Sequence, residues 1–356
     1  MTSAGRHTEP VKRPTIADIA RRAGVSKGAV SYALNGQSGV SDATRARILA
    51  IAQEIGFNPN SAARALSGAS ANAVGLALRR PARTLGVEPF FMELISGVQA
   101  ELATRSIALT LQVVEDAAAE LEVYRRWWGE RRIDGVLVCD LRTNDPRISV
   151  LQKLQLPAVV IGGPGGAGRL PQVWSDDAAA VTETVAYLHA LGHRRVARVA
   201  GLPDLLHTAI RTDAFVSACA RFDLRGATTS VSDYSGEDGA RITRRLLAGP
   251  DRPTAIIYDN DVMAIAGLAV AQEMGVRVPA ELSIVAWDDS PLCQYVHPPL
   301  TALSRDIPAY GAAAARQLLA SIAGRQPGDL QTEPAHLVPR GSTAPVSAAT
   351  GSSAAR

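Results

Sequence analysis

Apolar residues in the first 57 positions recur at the spacing of short amphipathic helices. The first stripe joins four residues on one helical face: Ile16, Ile19, Ala20 and Ala23. Thr15, followed three positions later by Asp18, forms a capping-box-like start for this helix. Gly24 can adopt the left-handed conformation that ends it. The pattern therefore predicts a helix between Thr15 and Gly24.

Two further stripes follow closely. Only Val25 separates Gly24 from Ser26, which can cap a second helix. The apolar face of that helix consists of Ala29, Val30, Ala33 and Leu34. Ser41 can cap a third helix, whose stripe consists of Ile48, Ile51, Ala52 and Ile55. Two short helices joined by a glycine turn are typical of a helix-turn-helix, and a generic three-helix bundle is the alternative.

From residue 73 onward, short apolar runs alternate with amphipathic helical patterns. Seven runs are predicted to be strands: 74–78, 107–114, 135–139, 158–161, 196–200, 255–258 and 283–287. Alternation of this kind is typical of parallel sheets with helices on both faces. So many strands predict two sheets, with a ligand cleft beyond their carboxyl ends.

Charge separates the two parts of the chain. Residues 1–68 contain nine Lys and Arg against four Asp and Glu, whereas the remaining 288 residues contain 28 and 30. A basic end on a near-neutral body is typical of a phosphate-binding module joined to a second domain, and a solvated basic tail is the alternative.

Composition narrows the class of protein. The 356 residues are 47% hydrophobic, which is enough for a large core. We see no signal peptide and no apolar run of membrane-spanning length. Cys139, Cys219 and Cys293 lack the spacing of a disulfide framework or a zinc site. We therefore expect a cytoplasmic protein with no metal.

Residues 58–68 combine a helix start signal, two turns of good helix formers and a glycine stop. Such a segment is too short to be helical alone. We predict a hinge that folds when bound to DNA, with Leu66 as a minor-groove wedge and Arg64 near phosphate. A flexible linker is the alternative.

The head carries a specific series of short motifs: TIADIA at 15–20, GVS at 24–26, VS at 30–31, LN at 34–35, VS at 40–41, TR at 44–45 and GFNPN at 56–60. In these motifs the chain resembles the lactose-repressor (LacI/GalR-type) family of transcriptional regulators. The resemblance implies a repressor that binds a near-palindromic operator as a homodimer and responds to a small polar, sugar-like effector. It also implies an α/β fold with an all-α helix-turn-helix head and two Rossmann-like, periplasmic-binding-protein-like subdomains.

The resemblance also implies domain boundaries. We expect a helix-turn-helix domain at 14–58, a hinge and linker at 59–72, and an effector domain at 73–341, with disordered tails at 1–13 and 342–356. Within the effector domain, one subdomain comprises 73–174 and 304–333, and the other comprises 175–303 and 334–341.

Residue roles follow from the family pattern. Lys27, Gly28 and Tyr32 occupy positions that face base edges, and Ser26 and Ser31 occupy positions that meet phosphate. The complete predicted DNA-binding set is Thr15, Ser26, Lys27, Gly28, Ser31, Tyr32, Asn35, Arg64 and Leu66. Ala29 and Tyr32 depart from the usual Thr and Arg, so a bidentate guanine contact is lost and we expect an altered operator sequence.

The predicted effector-binding residues lie near strand ends. Arg211, Asn260 and Asp288 match the family's polar trio, and Tyr234 matches a position where a ring packs on sugar. Phe90 and Phe91 match a pocket wall. For the two phenylalanines, core packing is the alternative, and for Arg211 and Asp288 it is a structural ion pair. Gly162, Ala214 and Trp287 depart from the family pattern.

Two other patterns are rejected. Residues 163–168 have the glycine spacing of a dinucleotide motif, but no helix is predicted after them, so a mobile surface loop is expected. His189 and His193 lack the helical context of a zinc site. We predict no catalytic residue and no cofactor. The alternatives to a regulator are a cytoplasmic binding protein without a DNA role and a nucleotide-cofactor enzyme.

Overall fold

The computed structural model describes residues 14–34, 36–57, 70–224 and 226–346. The chain divides into two compact units, residues 1–69 and 70–356. The hinge predicted at 58–68 lies outside the described residues.

The first unit contains three short helices: α1 (Ile16–Ala23), α2 (Lys27–Leu34) and α3 (Asp42–Glu54). The Asp18 carboxylate accepts hydrogen bonds from the backbone N–H and the hydroxyl of Thr15, at 3.0 and 2.7 Å. The helices bury a common core around Ile19, Val30 and Ile48. This confirms the helix-turn-helix predicted from the apolar stripes.

The first sheet of the second unit has six parallel strands. They are β1 (Ala73–Leu78), β2 (Ala108–Val113), β3 (Gly135–Val138), β4 (Ala158–Ile161), β5 (Gln172–Trp174) and β11 (Leu330–Gln331). Their order is β11-β5-β4-β3-β1-β2. The associated helices are α4 (Ala82–Leu85), α5 (Pro89–Ala103), α6 (Ala117–Gly129), α7 (Pro146–Leu154) and α13 (Ile307–Ile322).

Six strands also form the second sheet. They are β6 (Val196–Ala200), β7 (Thr228–Val231), β8 (Ala255–Tyr258), β9 (Ser283–Trp287), β10 (Thr301–Ser304) and β12 (His336–Val338). Their order is β12-β10-β9-β8-β6-β7, and β12 runs antiparallel to β10 while the other pairs are parallel. The associated helices are α8 (Asp177–Ala190), α9 (Leu206–Arg221), α10 (Gly236–Ala248), α11 (Asp261–Glu273) and α12 (Leu292–Tyr295).

The chain passes between the two sheets three times. It leaves the first sheet after Trp174, returns to it after Ser304 through α13, and crosses again between Gln331 and His336. Helix α13 fits closely against α5, because a Cβ at Gly97 would lie 1.9 Å from the backbone oxygen of Pro308. The two sheets confirm the predicted α/β class.

Five strands were not predicted from the sequence: β5, β7, β10, β11 and β12. Three of them have only two or three residues, and β7 is an exposed edge strand with the sequence TTSV, so periodicity gives little signal. The surface loop expected at 163–168 is present: residues 164–166 and 168 are exposed, while Gly163 and Ala167 are buried. No helix follows this loop, since β5 comes next.

The tail predicted from residue 342 needs a correction. Ser342 is buried, donates a hydrogen bond to the Ile284 backbone oxygen at 2.6 Å and accepts one from the Thr301 backbone N–H at 2.8 Å. The Val346 N–H bonds to the Leu191 oxygen at 2.8 Å. These bonds hold residues 342–346 against the second sheet, although their small polar composition suggested a tail.

Candidate functional site

Helix α2 presents a polar face to solvent. Lys27, Gly28 and Tyr32 are exposed, whereas Val30 and Ala33 on the opposite side are buried in the helical core. The Ser26 hydroxyl accepts a hydrogen bond from the Ala29 N–H at 3.1 Å and so fixes the start of the helix. The exposed side chains are available for a partner without disturbing the core.

The other predicted DNA-binding residues are distributed unevenly. Ser31 is half-buried on the same helix, and Thr15 is exposed at the start of α1 with its hydroxyl bonded to Asp18. Asn35, Arg64 and Leu66 lie outside the described residues. The predicted role of each residue in binding DNA stays a prediction.

A polar cleft lies at the carboxyl ends of strands from both sheets, where α/β proteins usually bind ligands. Its atom-free space is about 680 Å³, a figure that includes the open mouth. Five predicted effector-binding residues line it: Phe90, Phe91, Arg211, Tyr234 and Asp288.

Asn260 does not line the cleft. Its Oδ1 caps α11 by accepting the Met263 N–H at 2.9 Å, and its Nδ2 donates to the Tyr234 backbone oxygen at 3.0 Å. With both polar atoms engaged, Asn260 supports the wall that Tyr234 forms. This placement differs from the predicted direct contact with an effector.

Arginine and aspartate side chains pair along the cleft. Arg80 donates to Asp140 through Nε at 2.7 Å and Nη2 at 3.1 Å. Because Arg80 and Asp140 follow neighbouring strands β1 and β3, the sheet brings them together. This bidentate pair fixes one side of the cleft.

A second group of charges faces the first. Arg211 Nε donates to Asp177 Oδ2 at 2.7 Å, and the guanidinium lies 3.6 Å from the ring centroid of Trp287. Arg305 donates to Asp288 at 3.4 Å and lies over the ring of Phe90. Arg211 and Asp288 are thus each held in an ion pair, the alternative considered from the sequence, with Asp177 and Arg305 as their partners.

Tyr234 forms the aromatic part of the wall. Its hydroxyl lies 2.8 Å from His207 Nε2 and 3.0 Å from Thr208 Oγ1, and Arg80 lies 4.7 Å from its ring centroid. A Cβ at Gly201 would overlap the ring at 1.8 Å, so the glycine makes room for it. Tyr234 has a φ of +68°, a conformation that bulky residues rarely adopt.

Two acidic residues of the cleft share this left-handed backbone, Asp140 with a φ of +52° and Asp288 with a φ of +65°. Strained backbone of this kind is concentrated at functional sites. Together with Tyr234, these residues place left-handed backbone at the strand ends that line the cleft.

Ionisation follows the local environment. Burial, together with Arg211, lowers the pKa of His207 to about 4, so the ring is neutral at pH 7. Burial raises the pKa of Glu88 to about 7. At Asp140 burial acts upward, but Arg80 outweighs it and the pKa falls below its ordinary value. Burial also raises the pKa of Asp288, against the effect of Arg305 and Arg211. The cleft thus holds ion pairs together with Glu88, a carboxyl group that is readily protonated near pH 7.

Sequence reasoning missed several residues of the cleft: Arg80, Glu88, Asp140, Asp177, His207 and Arg305. Asp140 could have been found, because it follows a predicted strand almost directly, as Asp288 does. Arg305 follows β10, which has little sequence signal. Glu88 gives no signal of its own beyond its place before the Phe90 helix.

Within the described residues, no helix is both long enough and apolar enough to cross a membrane. The same residues contain no cluster of His, Cys, Asp and Glu suited to a metal ion. His193 instead contacts Thr254 at 2.9 Å, and His189 stacks on Phe222.

Comparison with known proteins identifies the family. Residues 15–60 match "Bacterial regulatory proteins, lacI family", and residues 185–343 match "Periplasmic binding protein-like domain". The transcriptional regulator CelR of Thermobifida fusca is 30% identical over 331 residues, which cover 92% of this chain and 96% of CelR. The chain belongs to the LacI family.

Solved structures of LacI-family proteins are similar to the structure of this chain. A complex of CelR with cellobiose matches with a TM-score of 0.70 and 28% identity, covering 93% of this chain and 100% of that one. A Lac repressor dimer bound to operator and the anti-inducer ONPF matches with a TM-score of 0.82 and 25% identity, covering 94% and 100%. As a LacI-family member, the chain is a DNA-binding transcriptional regulator and not an enzyme.

Proposed function

We propose that this regulator is a cytoplasmic homodimeric repressor. Two copies of α2 read a near-palindromic operator, and a sugar-like effector in the cleft changes the affinity for that operator. The observation that carries the proposal is the polar, aromatic-edged cleft between two sheets in a chain that begins with a helix-turn-helix.

The exposed face of α2 supports the DNA-binding part. Lys27 and Tyr32 extend from one side of a helix whose other side forms the core. In helix-turn-helix proteins, the second helix enters the major groove with such a face. Tyr32 offers one hydroxyl and a ring, so we expect it to select bases differently from an arginine at this position.

Cleft chemistry supports the effector part. Carboxylate and guanidinium groups at strand ends suit a ligand with many hydroxyls, and Phe90 and Tyr234 offer ring faces for its apolar surface. The CelR structure with cellobiose makes a sugar the first class of compound to test.

Dimerisation is proposed from an exposed apolar surface on the first sheet. β2 is the edge strand, α5 contacts it, and both expose apolar side chains: Met92, Leu111 and Val113. Exposed apolar edges of this kind are usually covered by a partner. The solved Lac repressor dimer supports a second copy of the chain as that partner.

Contacts across the cleft provide a route for coupling. The Leu206 N–H donates to the Leu141 oxygen at 2.7 Å, and the Thr143 N–H donates to the Asp204 oxygen at 3.0 Å. Arg142 also forms an ion pair with Asp204. These contacts join the loop after β3 of the first sheet to the loop after β6 of the second, so they depend on how the two subdomains are arranged. A ligand that binds the open and closed arrangements of the subdomains unequally shifts the equilibrium between them.

Operator binding can be tested by fluorescence titration of the chain's own promoter region across salt concentrations. We expect saturable binding that weakens steeply as salt rises, because phosphate contacts release counterions. An affinity no greater than that for random-sequence duplex contradicts the DNA-binding part of the proposal.

A further inference from the structure

One acidic residue of the cleft differs from the others in its surroundings. Glu88 lies just before α5 and lines the cavity, yet only 7% of its surface is exposed. Its Oε2 atom is buried and has no hydrogen-bond partner among the described residues. A buried carboxylate oxygen without a partner is costly, so this atom is suited to a group that the ligand supplies.

The other oxygen of Glu88 faces the opposite sheet. Asn260 Nδ2, at the start of α11, lies 3.5 Å from Glu88 Oε1, which is at the limit of a hydrogen bond. Glu88 lies between α4 and α5, which pack on the first sheet, whereas Asn260 lies between β8 of the second sheet and α11. The carboxyl group therefore lies where the two subdomains meet and where a bound ligand contacts both.

Charge pairing separates Glu88 from its acidic neighbours. Four aspartates line the cleft, and each has an arginine within 4 Å: Asp140, Asp177, Asp259 and Asp288. Among the described residues, no ion pair is formed by Glu88. The three arginines of the lining, together with Arg198 behind Asp259, thus pair with four of the five carboxyl groups and leave Glu88 as the fifth.

The groups that face Glu88 come from both sheets. Arg80 follows β1, Asp140 follows β3, and Asp288 follows β9, while Asn260 approaches from α11. Burial raises the pKa of Glu88, Asp140 and Asp288 raise it further, and Arg80 opposes the shift. Among these groups, the carboxylates of Glu88, Asp140 and Asp288 oppose a further negative charge and Arg80 favours it, whereas a hydroxyl donor can bond to Oε2 without adding charge.

We propose that Glu88 binds the effector, accepting a hydrogen bond from a hydroxyl group through Oε2, and that it selects uncharged polyols over sugar acids and sugar phosphates. This inference rests on the proposed function, because it assumes that the cleft is the effector site. The inference adds Glu88 as the residue that selects ligands by their charge.

The first experiment compares ligands of similar shape and different charge. The full chain, without DNA, is titrated by calorimetry at pH 7 with cellobiose, glucose, glucuronate and glucose 6-phosphate. We expect cellobiose or glucose to bind at least about tenfold more tightly than the two anionic compounds. Tighter binding of either anionic compound, or binding of neither uncharged sugar, overturns the proposal.

The second experiment changes the carboxyl group. Glu88→Ala removes the acceptor and is expected to weaken binding of the uncharged sugar about tenfold or more. Glu88→Gln keeps an acceptor oxygen, so we expect a smaller loss together with weaker discrimination against glucuronate. Wild-type affinity in Glu88→Ala, or unchanged discrimination in Glu88→Gln, overturns the proposal.

Glu93→Gln provides the matched control. Glu93 lies on the adjoining helix α5 and is not among the residues that line the cavity. The substitution makes the same change in charge, and sugar affinity should stay within about twofold of wild type. A loss equal to that of Glu88→Gln contradicts a specific role for Glu88.

A separate measurement keeps this inference distinct from the proposed function. Operator affinity of each variant is measured with and without the sugar. If the sugar binds as expected and operator affinity does not change, the regulatory proposal fails while the role of Glu88 stands. If operator affinity responds to sugar equally in wild type and Glu88→Ala, the role of Glu88 fails and the regulatory proposal stands.

Discussion

The helix-turn-helix surface and the cleft place their functional side chains in opposite ways. On α2, Lys27 and Tyr32 extend into solvent and contribute nothing to the buried core. In the cleft, Arg80 and Arg211 are buried and hold Asp140 and Asp177 in close ion pairs. Residues of the first kind can change without loss of stability, whereas residues of the second kind serve stability and binding together.

The largest expected effect comes from breaking a buried pair. Arg80→Met leaves Asp140, whose side chain is 17% exposed, as a largely buried charge without its partner, so we expect a loss of about 3–4 kcal/mol in the free energy of unfolding. Chemical denaturation at pH 7 measures it. The double variant Arg80→Met, Asp140→Asn should recover a large part of the loss, because no uncompensated charge remains. Equal losses in the single and double variants contradict the pairing.

A pH-dependent effect of up to about 3 kcal/mol is expected at Glu88. Its pKa in the folded chain, about 7, lies above the ordinary 4.5, so the stability due to the protonated form is complete below pH 4.5 and is lost as the pH rises from 4.5 through 7. Glu88→Gln should therefore match wild type closely at about pH 4 and exceed it at about pH 8 by denaturant unfolding. An equal difference at both pH values contradicts this assignment.

The smallest effect on stability is expected on α2. Lys27→Ala should weaken operator binding by about 1–3 kcal/mol and change the free energy of unfolding by less than about 0.5 kcal/mol. Anisotropy titration and thermal unfolding measure the two quantities. Lys153→Ala, an exposed lysine on α7, removes the same charge from the other unit and should alter neither. A large loss of stability in Lys27→Ala contradicts the contrast, because it shows that Lys27 supports the fold as the paired arginines of the cleft do.

The same contrast explains what the sequence could predict. The exposed face of α2 could be predicted because its residues lie close together in the sequence, so capping signals and apolar periodicity place Lys27 and Tyr32 directly. The cleft could be predicted only in part. Asp288 follows a strongly apolar strand and gave a signal, whereas Arg305 follows the short strand β10 and Glu88 follows no strand directly.

Pairing was beyond the reach of sequence reasoning. Asp177 is brought to Arg211 by the packing of α8 on α9, across 34 positions of sequence, and no local pattern records this contact. For Asn260 the sequence suggested a contact that the structure does not show. Its position after a strand predicted a ligand contact, but its side chain caps α11 instead.

The central claim is that occupancy of the cleft changes operator affinity. Anisotropy titration of the promoter duplex, with and without a sugar that binds the cleft, tests it in wild type and Asp288→Asn. We expect the sugar to shift the wild-type dissociation constant by about 5- to 150-fold. The Asp288→Asn variant should bind the duplex as wild type does without sugar and should show no shift. A wild-type dissociation constant unchanged by the bound sugar would contradict the account.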